Sequence, residues 1–262
     1  MGEAYPFVKE RVETIFGWKL KGSPTLILLG KGSSFERMAG SAYVIAFAAP
    51  EKNLIVMDWS KLKGNRIHAQ DVLKHELCHL LIHQEITRVP VPRWLDEGLA
   101  QWASDGVMDI VSDQKGSRLN RAVFNDRMIP VRRLADGFPI RKDRLILAYE
   151  ESKDFVEYII GRYGKEGLLK MLRRMGQGQT VSEASQSTFS VPLASLEVGW
   201  KESLKRRVTW LSYLSYYLYE ILFALGGLLM CFAAVKVFLR KRAYMRAEME
   251  NGDGRGESGW RN

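Results

Sequence analysis

His75-Glu76-Leu77-Cys78-His79 sets two imidazoles four residues apart, with a carboxylate directly after the first. On an α-helix of 3.6 residues per turn this spacing puts both rings on one face, about one turn apart, where they can share a tetrahedral metal ion such as zinc. Glu76 then points toward the open coordination position. A carboxylate there can take a proton from metal-bound water, whose pKa the ion lowers toward ~7, and later deliver it to a leaving amine. The chemistry implied is hydrolysis by an activated water, with His75 and His79 as metal ligands and Glu76 as general base.

Zinc in a catalytic site takes a third protein ligand and keeps one position for water. Glu97 is the candidate, within Trp94-Leu95-Asp96-Glu97-Gly98-Leu99-Ala100. The Val-Pro-Val-Pro segment before it can turn this helix back antiparallel to the first, and Gly98 permits close helix approach. The alternative of a third histidine further along is poor, because Leu80-Leu81-Ile82-His83 has neither the glycine turn nor the distal His of metzincins. His83, one turn beyond His79, is too far along the helix to reach an ion shared by His75 and His79.

The elements that must position these residues are legible from periodicity and punctuation. Residues 6–20 read as a short amphipathic helix, and Thr25–Leu29 as a buried strand bounded by Gly22, Pro24 and Gly30. Ala42–Phe47 and Asn53–Met57 read as adjacent antiparallel strands joined by a turn. The motif helix spans Ala69–Glu85, and a second runs from Arg93 to Ser104 behind Pro92. Residues 107–143 read as loop with a short helix near Val131–Ala135. Further helices are expected at Leu145–Tyr163, Lys165–Met175, Thr180–Ser187 and Leu193–Arg206, with Gly164 and Gly176 as stops.

The last part differs in kind. Leu218–Leu239 is a run of about 22 mostly apolar residues, enough to cross a hydrocarbon core of ~30 Å. Tyr213, Tyr216, Tyr217 and Tyr219 stand at its start like an interfacial belt, and Arg240-Lys241-Arg242 closes it. Of the net charge of +9, residues 201–262 carry 11 Lys/Arg against 6 Asp/Glu, which leaves 28 against 24 for the first 200 residues. The basic excess therefore flanks the membrane span. No zinc-finger cysteine spacing or RNP-like aromatic stretch accompanies it, and nucleic acid is excluded as a partner. The cysteines, Cys78 on the motif helix and Cys231 in the apolar run, are not placed to pair. The division expected is a folded domain carrying the HExxH motif at 1–208, a membrane segment at 209–240, and a basic, disordered tail at 241–262. The N-terminus shows no basic stretch leading into an apolar run, so the expectation is either insertion through the C-terminal segment or a sequence that starts downstream of a leader.

HELCH, the later VPRWLDEGLAQW and then AYEESKDFVEYIIGRYG together resemble the peptidase MA-like group of gluzincin metallopeptidases, over roughly residues 25–205. The resemblance implies an α+β, zincin-like fold with a small antiparallel or mixed sheet beside the motif helix and a mainly helical C-terminal part, here followed by one transmembrane helix. It also implies one zinc per chain on His75, His79 and Glu97, Glu76 as base, and hydrolysis of peptide or protein substrates. In thermolysin-like gluzincins the residue four beyond the ligand Glu is an Asp supporting a zinc-bound His, whereas here it is Gln101. An amide oxygen can still accept the imidazole N–H, and Asp71, one turn before His75, is a possible substitute.

Several weaker candidates follow. Tyr149, in the third family-like segment, is the expected oxyanion donor, with His68 behind it. Trp94 and Trp102 are expected to pack the second helix. The Ala42–Phe47 strand is placed to add an extended substrate at the sheet edge, and Asp113–Arg133 to cover the cleft. The function expected is a membrane-anchored zinc metallopeptidase in a bacterial inner membrane, its catalytic domain outside the cytoplasm as in the exported enzymes it resembles. The competing reading is a catalytically silent zincin-like scaffold that binds a protein partner. A scaffold has no need of Glu76.

Overall fold

The computed structural model describes residues 4–30, 35–40, 43–64, 69–104, 118–208 and 217–253. The chain divides into two compact units, Met1–Thr209 and Trp210–Asn262. In the first, α1 (Tyr5–Phe16) buries Val8, Val12 and Phe16 and stops at Gly17, whose φ of 68° is open to a residue without Cβ. Three strands follow: β1 (Thr25–Leu29), β2 (Ala46–Ala49) and β3 (Leu54–Asp58), in the order β1-β3-β2. β1 runs parallel to β3, and β2 pairs antiparallel with β3 through a three-residue 3₁₀ turn at Pro50–Lys52. The expected hairpin is present, with its first strand beginning at Ala46. Ala42, where the sequence starts that strand, lies outside the described residues.

β1 corrects one expectation. It is an edge strand rather than a buried one, with Ile27 36% and Leu28 42% exposed. Its apolar composition gave no warning, because a short apolar run reads alike at the edge and the centre of a sheet. Two short helices flank the hairpin, α2 (Phe35–Ala39) and α3 (Trp59–Gly64).

α4 (Ala69–Glu85) is buried without a break from Val72 to Ile82, because α1, β2 and the next helix surround it. α5 (Arg93–Ala103) begins behind the extended Pro92, packs on α4, and on its other side packs on α8. Between them in sequence lie α6 (Arg118–Phe124), in a stretch expected to be loop, and α7 (Arg133–Asp136). Residues 105–117 lie outside the described residues, and with them the first part, 113–117, of the Asp113–Arg133 segment expected to cover the cleft. α8 (Lys142–Gly176) joins two expected helices across Gly164, whose φ of 74° and ψ of 164° break the helical path. α9 (Val181–Phe189) starts in a capping box between Thr180 and Glu183, and α10 (Leu193–Arg207) closes the unit.

Gly98 sets the α5–α8 distance. A Cβ on it would lie 2.5 Å from the Ser152 carbonyl oxygen and 2.7 Å from Val156 Cγ2. The close approach foreseen from this glycine is therefore made to α8. Around it Trp94, Phe155 and Trp200 pack in a row of tilted rings, with centroids 4.8 and 4.9 Å apart, joining α5, α8 and α10. Trp200 Nε1 donates to Asp154 at 2.7 Å.

The second unit holds α11 (Leu218–Asp253), of which Leu218–Ala243 is long and apolar enough to cross a membrane. The helix continues to Asp253, into the segment expected to be a disordered tail. Tyr213 and Tyr216 of the expected aromatic belt lie outside the described residues.

Replacing Gly98 by Ala is expected to cost ~1–3 kcal/mol by overpacking against backbone, seen as a lower thermal midpoint of the detergent-solubilised chain. Gly161→Ala, where nothing lies within 4 Å of the added Cβ, serves as the control and should not destabilise. A second expectation concerns Glu151 of α8, fully buried with both oxygens accepting from the Ile129 N–H at 2.9 and 3.2 Å. Burial pushes its carboxyl up to about 8 from an ordinary 4.5, against the opposing pull of that N–H. Between these two values the folded chain holds a proton that the unfolded chain has released, so stability falls as pH rises through the window. Glu151→Gln should flatten this slope and exceed wild type at alkaline pH by roughly 2–4 kcal/mol, measured by unfolding at a series of pH values.

Candidate metal centre

α4 supplies His75, Glu76, His79 and His83 from successive turns, and α5 supplies Asp96 and Glu97 from adjacent positions. The two motif imidazoles meet edge to face, ring centroids 4.9 Å apart. Glu97 Oε2 lies 3.6 Å from His75 Nε2 and 3.7 Å from His79 Nε2. These separations are too long for hydrogen bonds. They fit the ~3.4 Å between ligand atoms of a tetrahedral ion with ~2.1 Å bonds. Glu97 Oε2 is buried and has no hydrogen-bond partner, a costly state for a carboxylate oxygen unless a cation meets it. One ligand atom from each of His75, His79 and Glu97 lies within 4.8 Å of the others. The donor set and its geometry fit a metal ion held by two imidazoles and one carboxylate.

The surrounding contacts fix each ligand. Glu97 Oε1 accepts from Arg93 at 3.1 Å, which leaves Oε2 turned to the histidines. Asp96 Oδ1 stands 3.0 Å from His79 Nδ1, and Asp96 Oδ2 stands 3.1 Å from His83 Nε2. His75 Nδ1 faces Ser104 Oγ at 3.4 Å, and that hydroxyl donates to the Ala100 carbonyl. In each imidazole Nε2 faces Glu97 while Nδ1 meets a supporting oxygen, the arrangement that orients a ligating ring.

The electrostatics draw positive charge to the imidazoles. Burial would lower the pKa of His79, but Asp96, Glu97 and Glu76 outweigh it and push the group up to about 10. Burial likewise works against the charged form of Asp96, and His79 and His83 overcome it, holding that carboxyl well below the usual range. Glu97 is lowered too, with burial opposed by His75, His79 and Arg93. A proton or a metal cation answers the same field.

Over the triad opens a cleft of about 950 Å³. Glu76, His79, His83, Asp96 and Glu97 line it, together with Phe47 and Ala48 of β2 and the loop from Ile86 to Val91. β2 is an edge of the sheet, so its outer side borders this cleft.

A sequence model of the Peptidase MA superfamily matches residues 41–206, a segment that contains every residue of the triad. The chain belongs to the Peptidase MA superfamily. No curated protein and no solved structure shows a significant match to it. With the His75/His79/Glu97 triad, this Peptidase MA domain is a catalytic domain of the zinc-metallopeptidase type, attached to one membrane-spanning helix.

The supporting residues of the Peptidase MA site differ from those expected. Gln101 is buried, but its amide nitrogen donates to the backbone oxygens of Glu97 and Tyr149 at 3.2 and 3.1 Å, tying α5 to α8 rather than holding an imidazole. Asp71 makes no hydrogen bond or ion pair with the triad; its turn of α4 lies before the first ligand. The carboxylate at an imidazole is Asp96, which sequence reading passed over beside its neighbour Glu97. The available signal was the His79/His83 spacing, which presents two rings to one residue of the facing helix. Tyr149 is 1% exposed, packs edge-on to Phe138 at 5.0 Å, and is not among the residues lining the cleft. His68 lies outside the described residues. His83 serves Asp96 rather than the triad. Trp94 is buried against Phe155, and Trp102 meets Phe16 edge-on, both as packing residues.

Asp96→Ala is expected to weaken metal binding 10- to 100-fold, the usual cost of removing an oxygen that supports a ligating His. Asp71→Ala should leave it unchanged. Competition against a chromophoric chelator measures both.

Proposed function

We propose that the ion is zinc and that the domain hydrolyses peptide bonds in substrates close to the membrane that anchors it. The observation that carries this reading is the convergence of two Nε2 atoms and Glu97 Oε2 beside a buried Glu76 that faces the cleft. A bound zinc ion would supply a Lewis acid that polarises the scissile carbonyl and acidifies water. The chain's own residues do the rest. His75, His79 and Glu97 would hold the ion, while Asp96 and Ser104 fix the two rings and Arg93 fixes the carboxylate. Glu76, 1% exposed, is shielded from bulk water and suited to accept a proton and pass it to the departing amine. The outer side of β2, at the sheet edge among the described residues, can pair with an extended main chain, which supports recognition with little dependence on side-chain identity at the paired positions.

The membrane span confines the domain to a surface and raises its effective concentration toward substrates held there. We further propose that the catalytic unit lies outside the cytoplasm of a bacterial cell, a reading supported only by the family resemblance of the sequence motifs.

Elemental analysis of the detergent-solubilised chain should give about one zinc per chain in wild type and in Glu76→Gln, and much less in Glu97→Ala. Peptide hydrolysis should fall by about 10²-fold or more in Glu76→Gln and disappear on treatment with a strong chelator. Well-folded wild-type protein without zinc would replace the enzyme by the scaffold reading.

A further inference from the structure

The walls of the cleft carry information that the metal site does not. Met38, Val44, Phe47, Ile86, Val89 and Val91 all line the cleft. Apart from the residues of the metal centre and its supports, the only charged groups among the lining residues are Glu51 and Arg88, one of each sign. The walls therefore favour neither acidic nor basic side chains and offer apolar surface to a bound chain.

Two of these residues differ in stiffness. Phe47 is braced, its ring centroid 5.7 Å from that of Phe35, which is 1% exposed. Met38 stands on α2 at 52% exposure, with an unbranched, polarisable side chain that adapts to differently shaped neighbours. An extended peptide beside β2 sends every second side chain, roughly 7 Å apart, to the same face. A bulky apolar side chain there removes apolar area of Met38 and Phe47 from water, whereas a charged one loses hydration and gains no partner.

We propose that this cleft selects substrates by a bulky apolar side chain seated against Met38 and Phe47, and that Met38 is a specificity-determining residue. The selection is for a class of side chain rather than one residue type, because Phe47 is held rigid and Met38 yields. The inference rests on the peptidase reading above and narrows it to peptides with apolar residues flanking the cut.

The test is to incubate the full-length, zinc-supplemented protein in detergent micelles with a sequence-randomised peptide mixture and to locate the cuts by mass spectrometry. Leu, Ile, Met and Phe should be enriched about tenfold or more over Asp, Glu and Gly at one fixed position relative to the cleaved bond. Met38→Glu, at an exposed helical position, should lower kcat/KM for those peptides about tenfold and raise it severalfold for Lys or Arg at the same position. Its metal content should stay that of wild type. Cleavage without apolar enrichment, or an unchanged profile in Met38→Glu, overturns the specificity proposal and leaves the peptidase reading standing. No cleavage of any peptide by zinc-loaded protein overturns both.

Discussion

With no side chain at residue 98, the backbone of α5 lies directly against that of α8 at Ser152, and the position of every metal-site residue on α5 follows from that contact. Trp94 and Leu95 fill the space around it as buried neighbours, so α5 has one depth available to it. Asp96 and Glu97, on the turn that holds Gly98, are thereby presented to α4. The ligands on α4 are fixed independently, because that helix is enclosed by α1, β2 and α5. The site is thus the meeting of two rigid helices, each positioned by apolar packing that does not involve the ion.

What those helices bring together is a buried set of charges in which each carboxylate oxygen has a separate task. Glu97 gives one oxygen to Arg93 and the other to the imidazole pair; Asp96 gives one to His79 and the other to His83. Sharing the oxygens this way keeps both acids ionised despite burial and holds each at one rotamer. The arrangement also explains why His83, too far along α4 to be a ligand, still belongs to the site.

The parts of this architecture that sequence revealed are those in which spacing dictates geometry. HELCH on a long periodic helix could only stack its two imidazoles, and WLDEGLA behind a Pro-rich turn could only return a carboxylate to them. The apolar run from Leu218 was equally plain. What escaped notice depended on tertiary context. The short helices α2, α3 and α6 bury too few residues to show a period, and the apolar residues of β1 do not reveal that it stands at the edge of the sheet among the described residues. Asp96 was hidden because adjacent helical residues point about 100° apart, and nothing local says that both directions lead to α4. Gln101 stands where a supporting Asp was expected, but its amide turns to the backbone. In the C-terminal segment the charges suggested disorder, yet Ala, Met, Arg and Glu there are strong helix formers and α11 runs on through them.

The ion pairs around His79 and Glu97 bear on how an ion would be received. In small zinc-dependent modules the ligands are mobile until the ion arrives, so capture and folding are one event. Here Asp96, Ser104 and Arg93 restrict the side chains that would close on the ion, and the core that holds α4 and α5 is apolar. Little conformational entropy is left to lose when the ion enters. The ligands are thus held by their neighbours in the fold rather than by a mobile loop, so an ion would meet them already oriented.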